Sequence, residues 1–220
     1  MAAAVYVGER GIELADGAGG TAPDAGTRIA HGTMRVIAGK FRSRRLSGPG
    51  ALRVRPTSDR LRETLFNVLG DAVRDSFFVD LYAGTGAIGI EAVSRGAREV
   101  VFVEKHAATA RLLRKNLDAL EIRSGIELIG ADAVEGLERL MARHIVADFI
   151  FLDPPYERTD EYQRALEFID ASRLLVPVSR VIVEHSSAEN LPDRFGRIER
   201  VRVLEQGDAT LSFYRLMAAA

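Results

Sequence analysis

Asp153-Pro154-Pro155-Tyr156 is the stretch of this chain with the plainest chemistry. It closes an apolar run, Val146 to Leu152, that reads as a buried strand. Proline has no N–H to occupy a neighbouring carbonyl, and its ring holds φ at about −65°. The Asp153 carboxylate and the Pro154 carbonyl can therefore aim two acceptors at one point, with the Tyr156 ring alongside. Two acceptors beside a ring suit a planar heterocycle that carries an exocyclic amine. Asp-Pro alone would read as a strand-ending turn; the full tetrapeptide after such a strand points to chemistry.

A second motif lies upstream. Phe77–Tyr82 reads as a strand, and Ala83-Gly84-Thr85-Gly86-Ala87-Ile88-Gly89 leads from it into a helix. Glycines there allow a tight turn, close backbone approach to a ligand and close packing of helix on sheet. The Gly84-x-Gly86-x-x-Gly89 spacing matches the dinucleotide fingerprint, and Glu104 ends the next strand at about the right distance. Taken alone, this favours a nicotinamide or flavin enzyme. Asp80 argues against it, because a carboxylate four residues before the first glycine would repel a pyrophosphate. It could instead face the ammonium of a zwitterionic ligand. The Asp-Pro-Pro-Tyr platform also has no task in hydride transfer. S-adenosylmethionine fits both motifs, having an amino-acid end, a ribose, an adenine and no phosphate.

With both motifs present, the chain resembles the class I S-adenosylmethionine-dependent methyltransferases that modify exocyclic amines of nucleic-acid bases. Met34-Arg-Val-Ile-Ala-Gly-Lys-Phe-Arg-Ser-Arg-Arg-Leu46, the run Arg55-Pro-Thr-Ser-Asp-Arg-Leu-Arg-Glu-Thr-Leu-Phe-Asn67 and the glycine loop narrow the likeness. Together they resemble the bacterial 16S ribosomal RNA guanine-N2 methyltransferase family, from Met34 to about Leu216. The resemblance implies modification of one guanine of the small subunit, nucleotide 966 in the usual rRNA numbering. It implies S-adenosyl-L-methionine as cofactor, and 16S rRNA within the small ribosomal subunit or its assembly intermediate as partner. The expected protein is a cytoplasmic monomer.

In such a fold the ligand lies outside the carboxyl ends of the strands, at the switch point of the sheet. Tyr82, Ala83, Gly84 and Gly86 would run beside the methionine and ribose portions, with Asp80 at the ammonium. Glu104 can accept from both ribose hydroxyls. Asp132 can accept from the adenine amine, with the Ala133 N–H at the ring; Asp132 reads equally as a helix N-cap. Thr57 and Arg60 are placed over the methionine end by the resemblance alone. Asp153, Pro154 and Tyr156 would form the catalytic platform. The guanine N2 lone pair is delocalised, and hydrogen bonds from its N–H groups to Asp153 and the Pro154 carbonyl would free it. Tyr156 would stack on an unpaired or flipped-out base. Asp153 or water would take the proton.

The elements that must hold these residues alternate along the chain. Strands are expected at 77–82, 99–104, 125–129, 146–152 and 180–184, and helices at 58–73, 87–95, 107–120, 132–142 and 160–171, with Thr57, Ser58 or Asp59 capping the first. Such alternation predicts an open, mostly parallel α/β sheet covered on both faces. Arg197–Glu205 and Thr210–Leu216 flank a turn and read as an antiparallel hairpin, giving the seven-stranded, Rossmann-like class I methyltransferase arrangement. Residues 34–56 are expected to form a basic N-terminal hairpin or arm, 57–218 the methyltransferase domain, and 1–33 a disordered upstream extension.

Charge is distributed unevenly. The net charge is −1, yet residues 34–62 carry nine basic side chains against the single Asp59, a net of +8. Such asymmetry points to a polyanion-binding edge on an acidic body. Arg35, Lys40, Arg42, Arg44 and Arg45 are the candidate RNA contacts. Phe41, between two cations, reads either as a stacking platform for a base or as an apolar anchor. There are no cysteines, which excludes disulfides, zinc-thiolate sites and a thiolate nucleophile of the kind used in C5-pyrimidine methylation. The four histidines show no ligand spacing, so no metal is expected. No run approaches the ~20 apolar residues of a membrane span. Three other readings stand beside this one: a DNA adenine-N6 methyltransferase, which usually carries a further target-recognition region; a nicotinamide oxidoreductase; and a non-catalytic RNA-binding assembly module.

Overall fold

The computed structural model describes residues 34–48, 58–155 and 158–217. The expected extension 1–33, the end of the arm, Thr57 and Tyr156 lie outside the described residues.

Five apolar runs become the parallel strands β1 (Phe77–Leu81), β2 (Glu99–Val103), β3 (Ile126–Ile129), β4 (Phe149–Leu152) and β5 (Arg180–Ser186). The helices are α1 (Asp59–Leu69), α2 (Ala87–Ser94), α3 (Ala107–Ala119), α4 (Ala133–Ala142) and α5 (Thr159–Ala171). Three C-terminal strands follow: β6 (Arg194–Phe195), β7 (Ile198–Gln206) and β8 (Ala209–Leu216). They assemble into one sheet in the order β3-β2-β1-β4-β5-β8-β7-β6, with β8 antiparallel to β5 and β7. The chain therefore runs outward from β1 through β2 to β3 and then returns to β4 on the other side of β1, and this reversal opens a crevice at the carboxyl ends of β1 and β4.

Alternate side chains of the strands feed two cores. Phe78, Phe102, Phe149 and Phe151 pack under α1, α2 and α3, while Val79, Val101, Ile150 and Val183 face α4 and α5. Because helices cover both faces, β1 is buried along its whole length. Asp80 is the single charged residue in it.

Several boundaries differ from expectation. β4 begins at Phe149, not Val146: Ala147 N–H turns aside to the Leu174 carbonyl, and Asp148 Oδ2 accepts from Phe77 N at 2.7 Å, latching the entry of β1. α1 is capped by Ser58, whose Oγ accepts from Leu61 N, and it stops at Leu69 because Gly70 turns to φ 55. A 3-10 turn, Gly70–Val73, completes the segment. Among the described residues the sheet has eight strands where seven were expected. The extra one, β6, is two residues long and pairs with Ile198 and Glu199 across a turn at Gly196. No helix among the described residues is long and apolar enough to cross a membrane.

The basic arm is a docked hairpin. Arg35 and Arg45 form an antiparallel bridge, and Met34, Val36 and Leu46 are buried in the core beneath it. Glu91 of α2, fully buried, accepts from Ile37 N at 2.7 Å and Ala38 N at 3.0 Å. Gly39 (φ 79) lies so close to α2 that a Cβ would stand 1.9 Å from the Ser94 carbonyl oxygen.

Candidate functional site

The β1–α2 connection is shaped by backbone conformations that few residues tolerate. Tyr82 (φ 61), Gly84 (φ 56) and Gly86 (φ 82) all adopt the left-handed region. β1 consequently ends at Leu81, one residue earlier than expected, and Tyr82 swings out of the strand. Glu104, at the end of β2 and 6% exposed, holds the loop: its Oε2 accepts from Gly84 N at 2.9 Å and its Oε1 from His106 N at 2.6 Å. Behind the loop, Asp80 Oδ2 accepts from Gly89 N at 2.8 Å in the first turn of α2. Burial pushes the Asp80 carboxyl up to about 7; the Gly89 N–H opposes that shift and the Glu104 charge adds to it.

Three further strand ends reach the same place. After β3, Asp132 caps α4 by accepting from Glu135 N at 3.0 Å. After β4 come Asp153, half-exposed, Pro154, buried, and Pro155. From β5 comes Glu184, buried. Together these groups line a cleft of about 460 Å³, with Asp80, Tyr82, Ala83, Gly84, Glu104, Asp132, Ala133, Asp153 and Pro154 in its wall. Nine of the residues singled out in the sequence therefore share one cavity.

Gly86 is one exception. It is absent from the lining; its amide donates to the Ala83 carbonyl at 2.7 Å, and a Cβ there would stand 2.1 Å from Leu113 Cδ1. It is the left-handed N-cap of α2 and lets that helix pack on α3. Arg60 is exposed and does not line the cleft. For Asp132 the two readings coincide, since one side chain both caps α4 and faces the cleft.

The wall also contains residues that sequence reasoning passed over: Lys105, His106, Arg158, Glu161 and Glu184. Glu161, in the first turn of α5, is 7% exposed and accepts from Tyr82 Oη at 3.0 Å, Arg158 Nη2 at 2.7 Å and Arg164 Nη1 at 3.3 Å. Burial and the Glu161 charge push the Tyr82 phenol far above its ordinary range, so it stays a donor. In sequence Glu161 looks like an acid favoured by the helix dipole. The only signal for its second role is its distance of a few residues from the Asp-Pro-Pro-Tyr run.

The donor set discriminates among ligands. Asp80, Glu104, Asp132, Asp153, Glu161 and Glu184 give the cleft six carboxylates against Lys105, Arg158 and His106. Such a wall repels a pyrophosphate and suits a ligand with an ammonium, a sulfonium and ribose hydroxyls. S-adenosylmethionine fits these residues; a nicotinamide or flavin dinucleotide does not.

Outside the cleft, the five cations of the hairpin, Arg35, Lys40, Arg42, Arg44 and Arg45, are all exposed. Arg44 Nη2 also donates to the Ala119 carbonyl at 2.9 Å. Phe41 is half-buried and packed against the core, with Lys40 Nζ 5.2 Å from its ring centroid. Arg62, counted in the basic segment, is fully buried and serves the fold, donating to the Arg35 carbonyl and to Asp59 Oδ1.

Comparison with known proteins agrees with this geometry. The family model described as Conserved hypothetical protein 95 matches residues 34–215. Ribosomal RNA small subunit methyltransferase D of Haemophilus influenzae is 36% identical over 160 residues, 72% of this chain and 81% of that protein. The Escherichia coli protein of the same name is 32% identical over 161 residues, 73% of this chain and 79% of that protein. The solved structure of yhhF from Escherichia coli aligns with a TM-score of 0.73 at 28% identity, covering 86% of this chain and all of that one.

Proposed function

The chain belongs to the family described as Conserved hypothetical protein 95, and on that premise we propose that it is an S-adenosylmethionine-dependent ribosomal RNA methyltransferase that modifies the exocyclic N2 amine of one guanine of 16S rRNA, of the nucleotide 966 type. The observation that carries this reading is the shared cleft: the Asp153-Pro154 platform opens into the same cavity as Asp80, Glu104 and Asp132.

Asp80 meets the ammonium of the cofactor, Glu104 its ribose hydroxyls, and Asp132 with the Ala133 N–H its adenine. Bound there, S-adenosylmethionine supplies a methyl group on a positively charged sulfur, open to in-line displacement. The chain's own residues prepare the acceptor. Asp153 and the Pro154 carbonyl accept from the two N–H groups of the guanine amine, turning its lone pair away from the ring and towards the methyl. As the new N–C bond forms, the S–CH3 bond would break and leave a neutral thioether, so positive charge passes from sulfur to nitrogen, where the Asp153 carboxylate stabilises it. The proton then leaves to Asp153 or to solvent. Tyr156 is assigned to stacking on the extruded base. Arg35, Lys40, Arg42, Arg44 and Arg45 hold phosphates and orient the substrate without reading its sequence.

A handful of surface cations cannot select one guanine in a long RNA, so the acceptor is the partly or fully assembled small subunit, engaged by a monomer of this chain. The test is methyl transfer from labelled cofactor to small subunits and to protein-free 16S rRNA from cells lacking the gene, followed by mapping of the modified nucleotide. A labelled N2 of a single guanine, with subunits the better substrate, is the expected result. Label on adenine N6, or transfer to DNA, would favour the DNA methyltransferase reading; no transfer to any nucleic acid would favour a binding module.

A further inference from the structure

Helix α3 carries a second cationic stripe. From Lys105 to Leu117 the chain holds Lys105, Arg111, Arg114 and Lys115 and no acid. Arg111, Arg114 and Lys115 stand at i, i+3 and i+4, so they share one face of the helix. All three are exposed, while Ala110, Leu113 and Leu117 face the core. Like charges at this spacing repel and destabilise the helix that carries them.

Some exposed arginines elsewhere are matched by acids, Arg123 by Asp118, Arg139 by Glu135, Arg143 by Glu127, Arg158 by Asp160 and Arg197 by Asp170, whereas others scattered over the surface, such as Arg74, Arg98 and Arg202, are not matched among the described residues. No ion pair joins Arg111, Arg114 or Lys115 to an acid among the described residues. What sets these three apart is that they share one helix face in a stretch without an acid, a clustering that costs the helix stability.

The two ends of the stripe identify what it serves. At the C-terminal end the arm abuts α3: Arg44 Nη2 reaches the Ala119 carbonyl, and the Asn116 side chain accepts from Ser47 N at 2.8 Å and donates to the Ser47 carbonyl at 3.1 Å. At the N-terminal end, Lys105, His106 and Thr109 line the cleft. Cations thus run from the arm along α3 to the cleft mouth. The helix has 13 residues, about 20 Å at ~1.5 Å per residue, enough to face several successive phosphates.

We propose that the exposed face of α3 is a track for the RNA backbone, guiding the strand that bears the target base from the arm to the cleft. This rests on the ribosomal RNA methyltransferase reading. The partner is the polyanionic backbone, held by phosphate contacts that position it and carry no sequence information.

The test is Arg111→Ala/Arg114→Ala/Lys115→Ala, at exposed helical positions where alanine is well tolerated. Its affinity for small subunits from cells lacking the gene is measured by filter binding between 50 and 200 mM salt, beside wild type and an Arg139→Ala/Arg143→Ala control at the C-terminal end of α4. Loss of three phosphate contacts lowers the salt slope by about 2–3, so the wild-type advantage shrinks ~16–64-fold across that range. Cofactor affinity stays at the wild-type value and the control matches wild type. An unchanged slope overturns the track, and so does weaker binding at an unaltered slope, which would assign the stripe to a protein surface. The two readings fail separately: wild type without methyl transfer to ribosomal RNA sinks the functional reading, whereas an active wild type with an indistinguishable variant sinks the track alone.

Discussion

Asp80 makes cofactor binding a function of pH. The side chain is 2% exposed and its carboxyl is pushed up to about 7, through burial above all and the nearby Glu104 charge. An ammonium ligand needs the ionised form, which is about 1% populated at pH 5 and about half at pH 7. If only that form binds, the affinity for S-adenosylmethionine rises about fifty-fold between those pH values, ~2.3 kcal/mol. Asp80→Asn keeps the shape and an oxygen for the Gly89 N–H, but has no proton to lose. The variant should bind weakly and with a flat profile. Calorimetry across pH 5 to 7 measures both, in a range where an α-ammonium stays charged. Stability follows the opposite sign. The folded state keeps the Asp80 proton to about pH 7, whereas the unfolded chain loses it at about 4. The stabilisation present in acid is therefore lost as pH rises through that window, by on the order of a few kcal/mol. Asp80→Asn should remove this decline in denaturant titrations. A flat profile in wild type, or an unaltered slope in the variant, refutes the assignment of Asp80 to the ammonium.

Asp153→Ala should abolish methyl transfer while cofactor affinity stays within a few-fold, and Asp153→Asn should keep more activity because an amide oxygen still accepts one hydrogen bond; single-turnover assays beside calorimetry separate the two effects. Glu104→Ala removes acceptors for two ribose hydroxyls, each worth roughly 0.5–1.5 kcal/mol, so calorimetry should show about 5–150-fold weaker binding of S-adenosylmethionine and of its demethylated product alike. Tight binding of NADH to the wild type would count against the ligand assignment. Gly39→Ala forces a side chain onto the Ser94 carbonyl at φ 79, so it should cost ~1–3 kcal/mol in thermal unfolding and raise KM for the subunit without touching cofactor affinity.

The parallel strands were legible because a doubly covered sheet makes them mostly apolar runs, broken by Asp80 in β1, Glu127 in β3 and Glu184 in β5. That rule located Asp80, Glu104, Asp132 and Asp153 together. It could not place the start of β4, since Val146 and Ala147 extend the apolar pattern upstream of Asp148, and only the latch from Asp148 to Phe77 shows where pairing begins. Glycine spacing marked the ligand loop but not the division of labour within it, which depends on Leu113 lying behind Gly86. Glu104 was read for its ligand; its grip on Gly84 and His106 needs the third dimension. Glu161 reaches the cleft only because α5 crosses back beneath Tyr82. The arm was read from its charge, while the contacts that seat it, Glu91 and Ser94 on α2, look like ordinary helix residues in the sequence.

The most direct test is nucleotide mapping of 16S rRNA after small subunits from cells lacking the gene are incubated with the wild-type protein, or its Asp153→Ala variant, and labelled S-adenosylmethionine. The account predicts one methyl group per rRNA molecule, on N2 of a single guanine, transferred by the wild type and not by the variant. Label on an adenine or cytosine amine, or equal transfer by the variant, would contradict it.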